Sequence, residues 1–240
     1  MVTECLNLGI HGFDTTYYQE RVHLGRILEE LGRREEAMLM AWNFFQEEGR
    51  EQETVSFTPY EPHHLAWQLE ELRTTWLDML VIHVHDEQER LMEELSLAAQ
   101  WVRKGKIRQL ALGMARAEHV ERLPESHQVS YILTPYNFFH RQPGEAAFRS
   151  ARQRGIRCIA LSPFVRGWKL EKLAGSRADN ASLLLRWLTG KPEVDGVVVS
   201  MRNKDWVGAN LAAERAGQLS VRELQELEEK LRVLSPDAMD

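Results

Sequence analysis

A regular alternation of short apolar runs and longer amphipathic stretches constrains the fold of this chain more than any other feature. The runs are apolar on both faces, which is typical of strands that are covered on both sides. We predict strands over residues 10–13, 37–42, 78–84, 108–113, 129–134, 156–161 and 194–200. We predict helices over residues 18–32, 61–74, 87–104, 115–122, 144–154, 180–189, 203–215 and 219–233. This order indicates βα units around a parallel sheet, so we expect an α/β fold, a TIM-type (β/α)8 barrel, as one domain over residues 1–240.

The number of predicted strands is seven, one fewer than such a barrel needs. The chain begins with a helix-like stretch, Glu4 to Leu8, of the kind that normally follows a first strand. A sheet lacking that strand has unpaired edges, which favour pairing with another chain. Three explanations stay open: an N-terminal structure that the pattern does not reveal, a partner chain that closes the gap, or a reading frame that starts late. A homo-oligomer formed through the open sheet edge is therefore one expectation.

The composition limits the classes of partner. The formal net charge is −6, so the chain offers no electrostatic reason to bind nucleic acid or an anionic membrane. No apolar run approaches the roughly 20 residues that span a bilayer, and the N-terminus lacks a signal-peptide pattern. Cys5 and Cys158 are too few for a disulfide framework and are expected to be buried thiols in a reducing compartment. We expect a cytoplasmic protein with a small-molecule partner, no nucleic acid and no membrane.

Polar residues follow two of the predicted strands at their C-terminal ends, which line the active-site mouth of a barrel of parallel strands. Asp14 comes directly after the first strand, with Tyr17 and Tyr18 behind it, and His83 ends the run that begins at Leu77. A tyrosine, a histidine and an aspartate together suggest proton transfer to a carbonyl oxygen. Asp14 could equally cap the following helix, and the tyrosines could simply pack under a loop. Two long loops, residues 46–60 and 164–180, are expected to overhang this mouth.

A second pattern in the same region suggests different chemistry. His83 and His85 lie two apart, with Asp86 next to them, and residues two apart on a strand point the same way. Such a pair could bind zinc and activate water, as in metal-dependent barrel hydrolases. No other strand end supplies a convincing ligand, so we predict no metal site and keep the hydrolase as a remote alternative.

Short segments spread over almost the whole chain resemble the aldo-keto reductase family. In the order in which the family has them, they are LGIHGFDT at 8–15, residues 20–28, LDMLVIH at 77–83, GKIR at 105–108, YN at 136–137, GI at 155–156 with LSPFVRG at 161–167, residues 183–188 and residues 194–199. Each segment is a weak signal alone. Together, and in the right order, they identify the chain as a divergent member of this family.

The resemblance implies a TIM barrel that transfers hydride from NADPH or NADH to an aldehyde or ketone. In the family pattern a tyrosine gives the proton, a lysine lowers the pKa of that tyrosine, an aspartate holds the lysine and a histidine orients the carbonyl. The histidine corresponds to His83 and the aspartate to Asp14. The tyrosine falls at Tyr18 when the turn is counted back from Glu20, or at Tyr17 otherwise, because the turn is shorter here.

The lysine of the family pattern is missing. Its strand ends here on Trp42, followed by Asn43, and neither side chain is a cation. Asp14 would then lack its partner, and its charge would oppose the formation of a phenolate. Trp42 could also fill the volume that a lysine and a nicotinamide would use.

Several cofactor contacts of the family pattern are altered as well. The resemblance assigns cofactor binding to Arg202, Asn210 and, more weakly, Ser162. Apolar or small residues occupy the other contact positions. Gly113 and Met114 replace a Ser-Asn pair of the family pattern. Polar, aromatic or charged side chains of that pattern are replaced by Leu133, Leu161, Trp206 and Ala209. Each lost contact of this type costs roughly 1–3 kcal/mol, so we do not expect tight NADPH binding in the family's manner.

Two hypotheses about function follow. The first is a degenerate family member, or pseudoenzyme, with weak or lost carbonyl reduction, kept as a ligand-binding or regulatory barrel. The second is an active NAD(P)H-dependent oxidoreductase that uses Tyr18 and His83. The sequence leaves open whether the protein is an active enzyme.

Overall fold

The computed structural model describes residues 1–45, 56–167, 170–201 and 203–233. Within these ranges seven strands form one sheet in which each strand pairs with the next along the chain. They are β1 Gly12–Thr15, β2 Met38–Trp42, β3 Leu77–His83, β4 Ile107–Gly113, β5 Val129–Pro135, β6 Arg157–Leu161 and β7 Gly196–Val197. The helices are α1 Val2–Asn7, α2 Tyr18–Leu31, α3 His64–Glu71, α4 Gln88–Arg103, α5 Ala117–Glu121, α6 Gln142–Gln153, α7 Arg177–Thr189, α8 Lys204–Arg215 and α9 Val221–Arg232.

The observed elements follow the predicted ones closely, since every predicted strand and helix overlaps an observed one. The seventh strand differs most, because only Gly196 and Val197 pair with β6 out of the apolar run at 194–200. Within the described ranges, no helix is long and apolar enough to cross a membrane.

The chain forms two compact units, residues 1–115 with 122–132 and residues 116–121 with 133–240. In the first unit, β1 to β4 are parallel neighbours, and their side chains form a core in which Leu39, Leu80 and Leu112 are fully buried. Helices α2 and α3 meet closely at Gly25, where a Cβ atom would lie 2.5 Å from the carbonyl carbon of Leu72. Only glycine allows this approach.

The N-terminal ends of the strands in the first unit are tied together by Asp78. Its buried carboxylate accepts hydrogen bonds from the Leu39 N–H at 3.0 Å, from Arg34 at 3.0 Å and from Arg108 at 2.9 Å. The two guanidinium groups also lie over the ring of Trp76, at 4.2 and 5.0 Å from its centroid. This end of the sheet is therefore occupied by a structural network, as is usual for the end of a barrel opposite the active site.

The second unit is held by aromatic packing and by polar contacts to its last helix. Phe138 and Phe148 are fully buried, and Trp187 lies 5.3 Å from Phe138 between ring centroids. Arg186 on α7 donates to Glu223 and to two carbonyl oxygens before α9, so it fastens α9 to α7.

Candidate functional site

Asp14 and Trp42 lie at the C-terminal ends of neighbouring parallel strands. Register pairs Asp14 with Met40, two residues before Trp42, and the indole Nε1 donates a hydrogen bond to Asp14 Oδ1 at 2.7 Å. Trp42 is buried and Asp14 is half-buried. The expectation that Asp14 would lack a partner is wrong, because the tryptophan that replaces the lysine is itself a hydrogen-bond donor.

Asp14 does not cap the following helix either. It lies inside β1, and Tyr17 is the residue that precedes α2. The Glu20 carboxylate takes the capping role, since it accepts hydrogen bonds from the N–H groups of Thr16 at 2.7 Å and Tyr17 at 3.1 Å. A glutamate three residues after the N-cap commonly does this.

The pKa of the Asp14 carboxyl is raised to about 6. Burial is the main cause, and the negative charge of Glu20 adds to it, while the hydrogen bond from Trp42 opposes both. Asp14 is therefore mostly ionised at neutral pH and becomes protonated under mildly acidic conditions.

The indole ring of Trp42 also fills the space beside Gly113 at the end of β4. A Cβ atom at Gly113 would lie 2.0 Å from Trp42 Cζ3 and 2.5 Å from Cη2, far inside van der Waals contact. The serine of the family pattern has no room at this position while the tryptophan ring is in place. We call Asp14, Trp42, His83 and Gly113 the strand-end site.

His83 ends β3 and is half-buried. Its Nδ1 lies 2.8 Å from the Val84 carbonyl oxygen, and because a carbonyl only accepts hydrogen bonds, Nδ1 carries the proton. The Nε2 atom of the neutral ring is then an acceptor. Burial lowers the pKa of the imidazole, although the hydrogen bond to Val84 opposes this, so the neutral form is favoured.

Aromatic rings surround the imidazole of His83. Phe57 stacks on it with 4.2 Å between centroids and an interplanar angle of 7°, and Phe44 meets it edge-on at 5.8 Å. The ring of Trp42 lies 6.4 Å away, and Tyr17 packs edge-on against Phe44 at 5.8 Å. Phe44 therefore contacts both Tyr17 and His83.

Asn43 holds the segment after β2 and the end of β3 together. The sequence analysis noted Asn43 only as a residue that is not the lysine of the family pattern. Its buried side chain accepts a hydrogen bond from the His83 N–H at 2.7 Å and donates to the Thr58 carbonyl at 3.1 Å. The Asn43 carbonyl also accepts from the Thr58 N–H at 2.7 Å. These three hydrogen bonds fix the segment that carries Phe57 over the end of β3.

Arg21 is a second residue that the sequence analysis missed. Its fully buried guanidinium pairs with Glu71 and donates to the carbonyls of Thr16 at 2.9 Å and Phe44 at 3.1 Å. It thus joins the segments that follow β1 and β2. A lone arginine among the apolar positions of a predicted helix is the one signal that pointed to this role.

The predicted tyrosines lie next to the strand-end site. Tyr17 is 42% exposed and contacts Phe44, whereas Tyr18 is half-buried as the first residue of α2. Both therefore remain candidates for a proton donor, and the catalytic assignment stays a prediction.

The histidine pair proposed for zinc is engaged in other contacts. His85 Nε2 lies 2.9 Å from Glu94 Oε1, and the other oxygen of this buried carboxylate accepts from the Tyr60 N–H at 2.7 Å. Phe57 stacks on His85 as well as on His83. One nitrogen of each imidazole is used in this way, so these contacts give the zinc hypothesis no support.

The predicted cofactor residues belong to the second unit. Ser162 is exposed directly after β6, and its carbonyl accepts from Asn137 Nδ2 at 3.1 Å. Asn210 is half-buried on α8, while Arg202 lies outside the described residues. Parts of the two predicted loops, residues 46–55 and residues 168–169, also lie outside the described residues.

A sequence model of the Aldo/keto reductase family matches residues 1–180. The chain belongs to this family. Its fold is similar to that of aldo-keto reductase AKR11C1 from Bacillus halodurans in its holo form, with a TM-score of 0.79 and 20% identity over 99% of this chain and 88% of that one. A second similar structure is the thermostable aldo-keto reductase Tm1743 in complex with the inhibitor epalrestat, with a TM-score of 0.72 and 19% identity over 95% of this chain and 85% of that one. No curated protein matches the chain in a sequence search.

These comparisons confirm both the family resemblance and the predicted fold class, an α/β fold of the TIM-barrel type with seven recognisable strands. At the strand-end site, Trp42 fills the space beside Gly113, and the neutral His83 ring offers an acceptor at Nε2.

Proposed function

We propose that this member of the aldo/keto reductase family binds a small ligand at the strand-end site and no longer carries out the family's carbonyl reduction. One observation carries the proposal: the residue in the lysine position, Trp42, is bound to Asp14 and packed against Gly113. The tryptophan thus binds Asp14, the hydrogen-bond partner of the lysine in the family pattern, and fills the space beside Gly113.

The loss of the lysine removes the means of activating a tyrosine. A phenol has a pKa near 10 and needs a nearby cation to act as an acid–base group at neutral pH. Arg21, which donates to the segments after β1 and β2, is already paired with Glu71. Trp42 is a neutral donor, so it does not supply the cation that would activate Tyr17 or Tyr18.

The state of His83 supports the same proposal. A histidine that orients a carbonyl must donate a hydrogen bond to the carbonyl oxygen. The proton of neutral His83 is on Nδ1 and bonded to Val84, and the lowered pKa disfavours a second proton on Nε2. Phe57 also covers one face of the ring.

The proposal extends to the cofactor and the compartment. NADPH and NADH are proposed to bind weakly or not at all, with Arg202, Asn210 and Ser162 as residues that could still contact them. The protein is proposed to act in the cytoplasm, which the two buried, unpaired cysteines support.

The test is a titration of the purified protein with NADPH and NADH, followed by tryptophan fluorescence and checked by calorimetry, together with a turnover assay on a panel of aldehydes and ketones. We expect no saturable binding up to millimolar cofactor and no turnover. Micromolar binding with turnover that disappears in Tyr18→Phe and His83→Ala would overturn the proposal in favour of an active NAD(P)H-dependent oxidoreductase.

A Trp42→Lys variant is the matched comparison. It returns a cation to the position beside Asp14 without changing the rest of the chain. Cofactor binding gained only in this variant would identify the tryptophan as the residue that prevents it.

A further inference from the structure

The carboxylate of Asp14 keeps one oxygen available for a ligand. Its Oδ1 is bonded to Trp42, and within the described ranges no hydrogen bond reaches Oδ2. The group is half-buried, so water compensates its charge only in part. A carboxylate of this kind is best satisfied by a charged hydrogen-bond donor.

Three polar side chains around Asp14, those of His83, Glu20 and Arg21, offer a ligand no available donor. His83 Nε2 is an acceptor in the neutral ring, and the carboxylate of Glu20 is close enough to raise the pKa of Asp14. The guanidinium of Arg21 is occupied by Glu71 and by two backbone carbonyls. These three side chains therefore favour a ligand that donates hydrogen bonds over a carbonyl oxygen or an anion, and the hydroxyl groups of Tyr17 and Tyr18 are the donors that remain next to the site.

The apolar surface of the site consists of aromatic rings. Trp42 contacts Asp14 directly, and its ring lies 6.4 Å from the ring of His83, which in turn contacts Phe44 and Phe57. Tyr17 extends this surface through Phe44 and is itself exposed. The faces of such rings attract cations, and tryptophan does so most strongly.

We propose that the ligand of the strand-end site is a small organic amine in its protonated form, whose ammonium group donates to Asp14 Oδ2 and lies against the surrounding aromatic rings. The inference rests on the proposed function and names the chemical class of its ligand. An ammonium group supplies three donors and one positive charge, which matches a site of acceptors and aromatic faces.

Three probes of the same shape test this inference: benzylamine, benzyl alcohol and benzoate, each titrated by calorimetry at pH 8 into the full chain. We expect benzylamine to bind roughly tenfold or more tightly than benzyl alcohol, since both can donate to the carboxylate but only the ammonium adds a positive charge. Benzoate should bind most weakly. Asp14→Asn should remove the advantage of benzylamine and leave the affinity for benzyl alcohol unchanged.

Glu35→Gln is the matched control, because it removes one negative charge from an exposed residue before β2, at the other end of the strands. It should keep the preference for benzylamine. If Asp14→Asn does not fold, an NMR titration of the unmodified protein tests the same contact. The Trp42 indole N–H resonance, assigned with Trp42→Phe, should shift with benzylamine and much less with benzyl alcohol.

Equal affinities for benzylamine and benzyl alcohol would overturn the inference, and so would a preference that survives in Asp14→Asn. The cofactor titration and the turnover assay separate this failure from failure of the proposed function. Without amine binding and without turnover, only the ligand class is wrong. With carbonyl turnover, the proposed function is wrong whatever the amine result.

Discussion

Trp42 donates its indole N–H to Asp14 at 2.7 Å, at the position where the family pattern has a lysine paired with this aspartate. The contact exchanges an ion pair for a hydrogen bond between a neutral donor and a carboxylate. A neutral donor compensates the charge of a half-buried carboxylate less well than a cation does. Burial raises the pKa of Asp14 to about 6, although the hydrogen bond from Trp42 opposes this.

The raised pKa of Asp14 predicts a specific pH dependence of stability. The folded chain binds this proton more tightly than the unfolded chain, so ionisation of Asp14 destabilises the fold as the pH rises from about 4 to about 6. Asp14→Asn removes that cost. Its free energy of unfolding relative to the wild type should therefore rise through this window, by at most about 3 kcal/mol. Urea unfolding of both proteins at a series of pH values measures the difference, and a difference that is flat with pH would contradict the prediction.

The contact between Trp42 and Gly113 predicts that the two positions are energetically coupled. Gly113→Ala should lower the free energy of unfolding by about 2–3 kcal/mol, because the new Cβ overlaps the indole ring. In a Trp42→Phe background, which lacks the overlapping atoms, the same change should cost much less. Gly12→Ala is the control, since a Cβ there meets nothing within 4 Å. An equal cost of Gly113→Ala in both backgrounds would argue against the coupling.

Asn43 is predicted to be essential for the position of Phe57. Asn43→Ala leaves the half-buried His83 N–H and the Thr58 carbonyl without these partners, which should cost about 1–3 kcal/mol. The ring of Phe57 should then leave His83, and the imidazole proton resonances of His83 should move away from their ring-current-shifted values. Asn7→Ala, a change at an exposed residue, should alter stability by less than about 1 kcal/mol. Unchanged His83 resonances in Asn43→Ala would show that other contacts hold Phe57.

Arg21 and Glu71 are predicted to behave as a buried ion pair. Arg21→Met leaves the carboxylate of Glu71, whose side chain is only 13% exposed, without its cation, and should cost about 3–5 kcal/mol. The double variant Arg21→Met/Glu71→Met should recover part of this loss, because no buried charge is left unpaired. Arg26→Met, in an exposed pair with Glu30, should cost less than about 1 kcal/mol. If the double variant is no more stable than Arg21→Met, the unpaired charge of Glu71 does not account for the loss.

The sequence was sufficient to predict the order of the elements, because apolar periodicity is a local property of each segment. The run at 77–83 is apolar apart from Asp78 and His83 and forms β3 with these bounds. The run at 194–200 has the same character, but only two of its residues pair with β6. Pairing depends on a neighbouring strand as well as on the segment itself, and that neighbour cannot be read from local periodicity.

The candidate site was predictable only in its inventory of residues. Asp14 and His83 could be assigned to strand ends, but the partner of Asp14 and the proton position of His83 depend on contacts between strands. A large ring at the end of β2 together with a glycine at the end of β4 was a usable signal for the packing of Trp42 on Gly113. The hydrogen bonds of Asn43 to His83 and Thr58 could not be predicted from the sequence. The role of a buried asparagine depends on its hydrogen bonds rather than on its neighbours in sequence.

The fit of the Trp42 ring to Gly113 also bears on how this chain can evolve. A serine gained first at position 113 overlaps the ring, while a lysine gained first at position 42 leaves a void beside the glycine. Either order of reversal passes through a less stable protein. Introduction of the lysine and serine of the family pattern therefore meets a stability barrier in its first step, and that barrier acts whether or not selection favours catalysis.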